Sequence, residues 1–294
     1  MNQSFGSTRR ALTLTALIAA TGLIVACGGG SESSAPIAEQ EPLSVAWGGA
    51  VALANIGPAT EAGTPMTIIE PPLNGVVTVE DGVLIYRPAA GYFGSDRVVW
   101  EQIDMGDVEP RRQVVALAVT ATLRLEGTAG DTAMPGMAVE VQVGARSERR
   151  IADAEGRWSA DVRTSDPQEL ISITIDNGSG VRLVRLAGST AAMASAADVE
   201  GRVAAGTMAA LVPDARSTAL AAVLSALNAG ALPEQQSTLQ ALQPQVEAAA
   251  VERGAVAVAS VLTGAEALQP GVANTFVLAG VMAAVQAPPR TPQP

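Results

Sequence analysis

Between residues 76 and 186 the chain repeats one pattern: a short run rich in valine, isoleucine and leucine, then a turn built on glycine, aspartate or asparagine. Beyond Gly188 that pattern stops and alanine takes over. No single class of fold accommodates both. β-Branched residues suit a pleated surface and lose χ1 freedom in a helix, whereas alanine favours helices and gives a sheet little to bury. The chain is therefore expected to be multidomain, mainly β and then α.

The β part divides by its turn signals. Val76-Val77-Thr78-Val79 and Val83-Leu84-Ile85-Tyr86 flank Asp81-Gly82, a pair suited to the positive φ angles of a tight hairpin turn. Two longer strands, 97–103 and 113–119, are separated by an expected turn at 104–107. The spacing implies a first β-sandwich over residues 43–121. The chain then restarts with an alternating strand at 122–127, followed by runs at 135–143, 152–158, 170–175 and 181–186, a second small sandwich over 122–188. Asp153 is expected to bond amides across a turn, Gly156 to take the left-handed conformation, and Trp158 to point inward on the next strand.

The region 189–287 is expected to be an alanine-rich helical bundle, with 288–294 a disordered tail. Leu220, Val223, Leu224 and Leu227 follow the spacing of one helix face. Asp214, Ser217 or Thr218 is placed to cap that helix and Gly230 to end it. Pro233 suits the first turn of the next helix, whose stripe Leu239, Leu242, Val246 is interrupted by Pro244. Two more helices are expected over 247–262 and 272–286. The second is too short to span a bilayer, and Glu266, Pro270 and Gly271 break the apolar stretch before it.

Composition excludes much chemistry. Histidine is absent and every one of the 18 basic residues is arginine. No Ser-His-Asp or Cys-His arrangement, histidine metal ligand or lysine Schiff base can form. The formal net charge of −11 argues against a nucleic-acid partner and against adsorption to anionic lipid. No enzyme and no cofactor are expected. Three site readings remain. Asp81, Asp96, Asp104 and Asp107 form a calcium cluster, or else Asp81 and Asp104 shape turns and Asp96 holds a corner. Trp47, Tyr92, Phe93, Trp100 and Trp158, with Tyr86, form a sugar-stacking platform if two of the first five lie coplanar and exposed. They fill cores otherwise, in a chain with only 3% aromatic residues. Asp153 and Glu155 sit in one turn as a formal acid/base pair, with nothing nearby to raise a pKa.

The N-terminus carries a sorting signal. Arg9-Arg10 precedes an uncharged run at 11–26, shorter than the ~20 residues a membrane span prefers. The run ends Ile24-Val25-Ala26-Cys27, and residues 27–42 form a polar, flexible tether. This ending resembles the lipobox of bacterial lipoproteins. The resemblance implies cleavage of a signal peptide, 1–26, between Ala26 and Cys27, and acylation of Cys27, the single cysteine. Gly28 after the cysteine implies sorting to the outer membrane.

Two further resemblances concern the sandwiches. Asn74-Gly75, Asp81-Gly82, Tyr86-Arg87-Pro88 and Gly91-Tyr92-Phe93-Gly94-Ser95-Asp96 resemble the pattern of bacterial Ig-like and cadherin-like repeats. Gly127, then Pro135, Gly136 and Val139, then Asp153, Gly156 and Trp158 resemble the carboxypeptidase regulatory-like domain, a transthyretin-like sandwich without catalytic activity. The order of the regions, with the helix start Ser217-Thr218-Ala219-Leu220, is similar to a class of proteobacterial envelope lipoproteins. These resemblances imply a non-enzymatic protein, held to a membrane through Cys27, that acts as a spacer or interaction scaffold with an envelope protein partner. The alternative is a module that binds peptidoglycan or exopolysaccharide glycan.

Overall fold

The alternation between residues 76 and 186 becomes strands in a computed structural model, which describes residues 41–56, 66–103, 109–130, 134–208 and 211–285. Among them are thirteen strands and five helices: three sheets, mainly β, with a helical C-terminal region. The leader, most of the tether with Ala26 and Cys27, the turn at 104–107 and the tail at 288–294 lie outside the described residues.

The two strands expected at 113–119 and 122–127 are one strand, β7, running from Arg111 to Thr128. At about 3.3 Å per residue its 18 residues span about 60 Å. Its N-terminal part pairs with β6 (Gly94–Gln102) and β1 (Leu43–Ala46), and its C-terminal part with β10 (Arg157–Thr164) and β13 (Arg202–Ala204). The odd positions from Leu117 to Gly127 are buried without interruption. Period-2 alternation thus survives the point, between 121 and 122, where the turn signals divide the chain. What changes there is the core. Leu117, Val119 and Ala121 belong to a first cluster with Val45, Leu84, Tyr86, Phe93, Val98 and Trp100. Leu123 and Leu125 belong to a second.

Over the first core, the half-sheet β1-β7-β6-β3 (β3, Met66–Glu70) faces the sheet β2-β5-β4. In that sheet β2 is Val51–Asn55, β4 Gly75–Glu80 and β5 Val83–Pro88. The turn between β4 and β5 has Asp81 at φ 47° and Gly82 at φ 77°, as the Asp-Gly signal implies. Over the second core, β10, β7 and β13 face the sheet β12-β11-β8-β9, built from Ala138–Val143 (β8), Arg146–Ile151 (β9), Leu170–Asp176 (β11) and Arg182–Ser189 (β12). β9 has the sequence RSERRI, without the apolar alternation that marks a strand. It forms because β8 offers it a ladder.

Helices α2 (Ala215–Leu227), α4 (Ala248–Leu262) and α5 (Thr275–Ala284) pack together and share the second core with the sheets. Asp214 caps α2 in a reciprocal capping box with Ser217. The stripe expected on α2 is only half buried: Val223 and Leu224 are covered, but Leu220 and Leu227 are each 38% exposed. The packing face is instead small. A Cβ on Gly254 of α4 would lie 2.9 Å from the Ala279 carbonyl oxygen and 3.1 Å from the Ala219 Cβ, so the three helices meet where side chains are smallest. Pro233 does not open a helix. Leu170 N–H donates to the Glu234 carbonyl and Gln236 N–H to that of Gln168, which hold this segment extended, and α3 runs only from Gln236 to Leu242 before the turn containing Pro244. α5 starts at Thr275 rather than 272, because Asn274 caps it. The alanine-rich region also contains a short helix, α1 (Thr190–Ala196), and β13, which returns to β7.

Edge strand β12 is closed by two threonines. Val184 N–H donates to the Thr218 hydroxyl at 3.0 Å. Arg182 N–H donates to the Thr275 hydroxyl at 2.9 Å, and that hydroxyl donates to the Arg182 carbonyl at 2.6 Å. Both threonines are fully buried. Replacing either by the isosteric valine strands buried backbone groups and is expected to cost about 1–3 kcal/mol each, measured by urea denaturation, with Thr275→Val the more severe because it orphans two groups.

Candidate functional site

The Asp96 carboxylate, 8% exposed, lies near the start of β6 and ties that strand to the corner before β4. Its Oδ1 accepts from the backbone N–H of Leu73 at 2.9 Å and of Arg97 at 2.8 Å. Its Oδ2 accepts from Asn74 N–H and the Tyr86 hydroxyl, each at 2.9 Å. Both oxygens are therefore spent on the corner. Burial, and then the Asp96 carboxylate, push the Tyr86 phenol well above its usual value, so it stays protonated as a donor. Asp81 sits in the β4–β5 turn, while Asp104 and Asp107 lie outside the described residues. Among the described residues no three acidic side chains are grouped to hold a metal ion.

The aromatic side chains are divided between the cores. Phe93, Trp100 and Trp158 are at most 5% exposed. Trp47 and Tyr92 are partly covered by the first core, and Trp47 meets Phe93 edge-on, with the rings inclined at 71°. The coplanar, exposed pair required of a stacking platform is not assembled from them. Trp158 fills the second core because Gly127 opposite leaves room: a Cβ there would lie 2.4 Å from the indole.

Asp153 and Glu155 belong to a turn that occurs twice. The sequence Asp-x-Glu-Gly-Arg at 153–157 returns at 198–202, just before β13. In the first copy Asp153 Oδ1 accepts from the N–H groups of Glu155 and Arg157, and Oδ2 from the Arg157 Nε. In the second, Asp198 does the same with Glu200 and Arg202. Gly156 and Gly201 take positive φ, 74° and 77°. The Arg157 backbone amide, helped by its side chain, holds Asp153 below the usual aspartate value, and Arg202 does so for Asp198. A depressed carboxylate is a poor general acid, so this turn is built to start a strand. The second copy is legible in the sequence as an internal repeat, but it lies in the alanine-rich region, where strands are not expected.

These turns deliver β10 and β13 to the two sides of β7. The outward face of that part of the sheet is polar. A cleft of about 520 Å³ over it is lined by Arg124, Glu126, Arg150, Asp153, Arg157 and Ser159. Arg124 pairs with Glu126, Arg157 with Asp153 and Glu155, and Arg150 with Glu148. Such a surface can make reversible polar contacts, and its cations are matched by neighbouring carboxylates. A second cleft, of about 480 Å³, lies beside α2, where Arg185 pairs with Asp214 above Leu220, Val246 and Val251.

No family model matches the chain, and no curated protein does. Among solved structures, the adhesin InvE of Yersinia pseudotuberculosis is similar over 49% of this chain at 12% identity, with a TM-score of 0.17. The chain spans about half of that structure, 56% of its length. No helix among the described residues is long and apolar enough to cross a membrane.

Asp96→Asn replaces an acceptor with a donor facing Asn74 N–H and the buried Tyr86 hydroxyl, and is expected to destabilise the fold by about 2–4 kcal/mol. Tyr86→Phe removes one donor and is expected to cost about 1 kcal/mol. Equal losses in chemical denaturation would contradict this ordering. For Asp153 and Asp198 the folded value lies below the unfolded one, so their contribution is present above the usual aspartate value of 3.8 and is lost as the pH falls through the lower folded value. The melting temperature of the wild type is therefore expected to fall more steeply than that of Asp153→Asn/Asp198→Asn as the pH is lowered past that usual value.

Proposed function

We propose that this chain is a non-enzymatic lipoprotein of the bacterial cell envelope, anchored through lipid on Cys27, that acts as a spacer or interaction scaffold. The observation that carries the reading is the ordered signal at the N-terminus. A basic pair, an apolar run and Ile24-Val25-Ala26-Cys27 are followed by a polar tether from Gly28 to Pro42. The small Ala26 suits a peptidase pocket, and the thiol of Cys27 is the acyl acceptor. Two or three acyl chains, at about 0.8 kcal/mol per buried CH₂, hold such a protein on a bilayer without a spanning helix. Gly28 favours the outer membrane.

We read the first sandwich as Ig-like or cadherin-like and the second as carboxypeptidase regulatory-like. Support comes from residues that serve the fold. Asp96 fastens a corner, Gly127 admits Trp158, and Asp153 and Gly156 set a turn. A scaffold needs a frame and a tether, and neither requires a catalytic residue. The partner is then a protein or matrix component of the envelope that meets the polar outer faces of the sheets.

The test is the mass of the protein recovered from membranes. The expected chain begins at Cys27 and is heavier by its acyl groups, and Cys27→Ser abolishes both the modification and the membrane fractionation of the mature chain. A mature chain with a free Cys27 thiol, or a retained leader in the wild type, would overturn the proposal.

A further inference from the structure

Among the described residues, the free sheet edges are blunted, with one exception. β12 is covered by Thr218 and Thr275. β9 carries three arginines and a glutamate in six residues. β10 presents Arg157, Asp161 and Arg163 on its outward side. β2 and β3 are each broken by a bulge, at Ala52/Ala54 and Ile68/Glu70. β1 and β13 are only four and three residues long. These are the devices by which proteins avoid pairing edge to edge.

β4 has none of them. Its six residues, Gly-Val-Val-Thr-Val-Glu, run against β5 without a break in register and carry a single charge, Glu80, at one end. The two-residue turn makes Glu80 and Val83 a hydrogen-bonded pair, so the even residues of β4 bond to β5. The Ala89 N–H donating to the Asn74 carbonyl at 2.7 Å keeps the same phase. The N–H and C=O groups of Val77 and Val79 therefore point away from the sheet, and neither residue has a backbone partner among the described residues. Beside this edge, Leu73 is 91% exposed and Val76 58%.

We infer that β4 is a self-association edge, at which a second copy of this chain adds its own β4 antiparallel to the first. The occupant follows from the sequence of the strand. Val77-Thr78-Val79 reads the same in both directions, so an antiparallel pair centred on Thr78 sets Val77 of one copy opposite Val79 of the other, twice. Thr78 then lies opposite Thr78 on the two-fold axis, in a non-hydrogen-bonded pair. Glu80 falls opposite Val76, so no like charges are opposed. The outward groups of Val77 and Val79 acquire partners, and two three-stranded sheets become one of six strands. An acidic or basic peptide would find little to match, since Glu80 is already paired with Arg87. This inference does not rest on the lipid anchor.

Two measurements test it. In sedimentation equilibrium of the full chain in non-ionic detergent, a reversible dimer is expected at concentrations up to about 100 μM. Val79→Pro removes an outward N–H that β5 does not use, and Thr78→Arg places two cations on the axis. Each is expected to weaken the dimer at least about tenfold while leaving the circular dichroism and melting temperature of the folded chain near wild type. In cells treated with a membrane-permeant thiol oxidant, Thr78→Cys in a Cys27→Ser background, where it is the single thiol, is expected to give a disulfide-linked dimer on a non-reducing gel. A chain that stays monomeric overturns the inference. So does a dimer unaffected by both edge variants, or a Thr78→Cys chain that cross-links only to a different protein.

Discussion

The fold depends on one strand that belongs to two cores. Along β7 every second side chain from Leu117 to Leu125 points inward, and the facing sheet changes beneath that face. Because strand side chains alternate strictly, slipping β7 by one residue would turn Leu117, Val119, Leu123 and Leu125 to solvent together. The registers of both halves are thereby locked to each other. Extended backbone over this length also fixes the direction of one sandwich relative to the next more tightly than a flexible linker would.

The helices meet one another through their smallest residues and are joined to this frame by two hydroxyls. Alanine and glycine at Ala219, Gly254 and Ala279 let the helix backbones approach closely, at the cost of burying little area per residue. Thr218 and Thr275 compensate by satisfying backbone groups of β12 that would otherwise be buried and unpaired. The helices are therefore the cover of a sheet edge as well as a bundle. That explains why they share one apolar core with the second sandwich. β4, an edge of the sheet β2-β5-β4, has no such cover among the described residues.

Arginine performs the electrostatic work of a chain without lysine. Most of its ion pairs lie on solvated faces: Arg87–Glu80 on β4 and β5, Arg157–Asp153 and Arg202–Asp198 in the two matching turns. Pairs of this exposure contribute little to stability. Their effect is local, because the planar guanidinium fixes the geometry of a turn or a cross-strand contact. Asp153, Glu155, Asp198 and Glu80 are committed in this way, each to an arginine of its own turn or strand pair.

Local chemistry is legible in the sequence. The Asp81-Gly82 hairpin, the Asp214 cap, the left-handed Gly156 and the inward Trp158 each follow from residues a few positions apart, because turns and caps are set by steric limits on φ and by short-range hydrogen bonds. Tertiary structure alone decided what spans distance. It made one strand of 111–128, gave the charged segment Arg146–Ile151 a partner in β8, held Gln235 against Glu169, and turned α2 to present Ala219 and Ala222 in place of Leu220 and Leu227. The lipobox-like ending at Cys27 is a resemblance of the sequence and lies outside the described residues, whereas the role of Asp96 is only named by its motif; its four donors come from residues up to 23 positions away, brought together by the closing of two sheets. Pairing and packing reward contacts between segments far apart in the chain, and local residue preferences carry no record of which segments will meet.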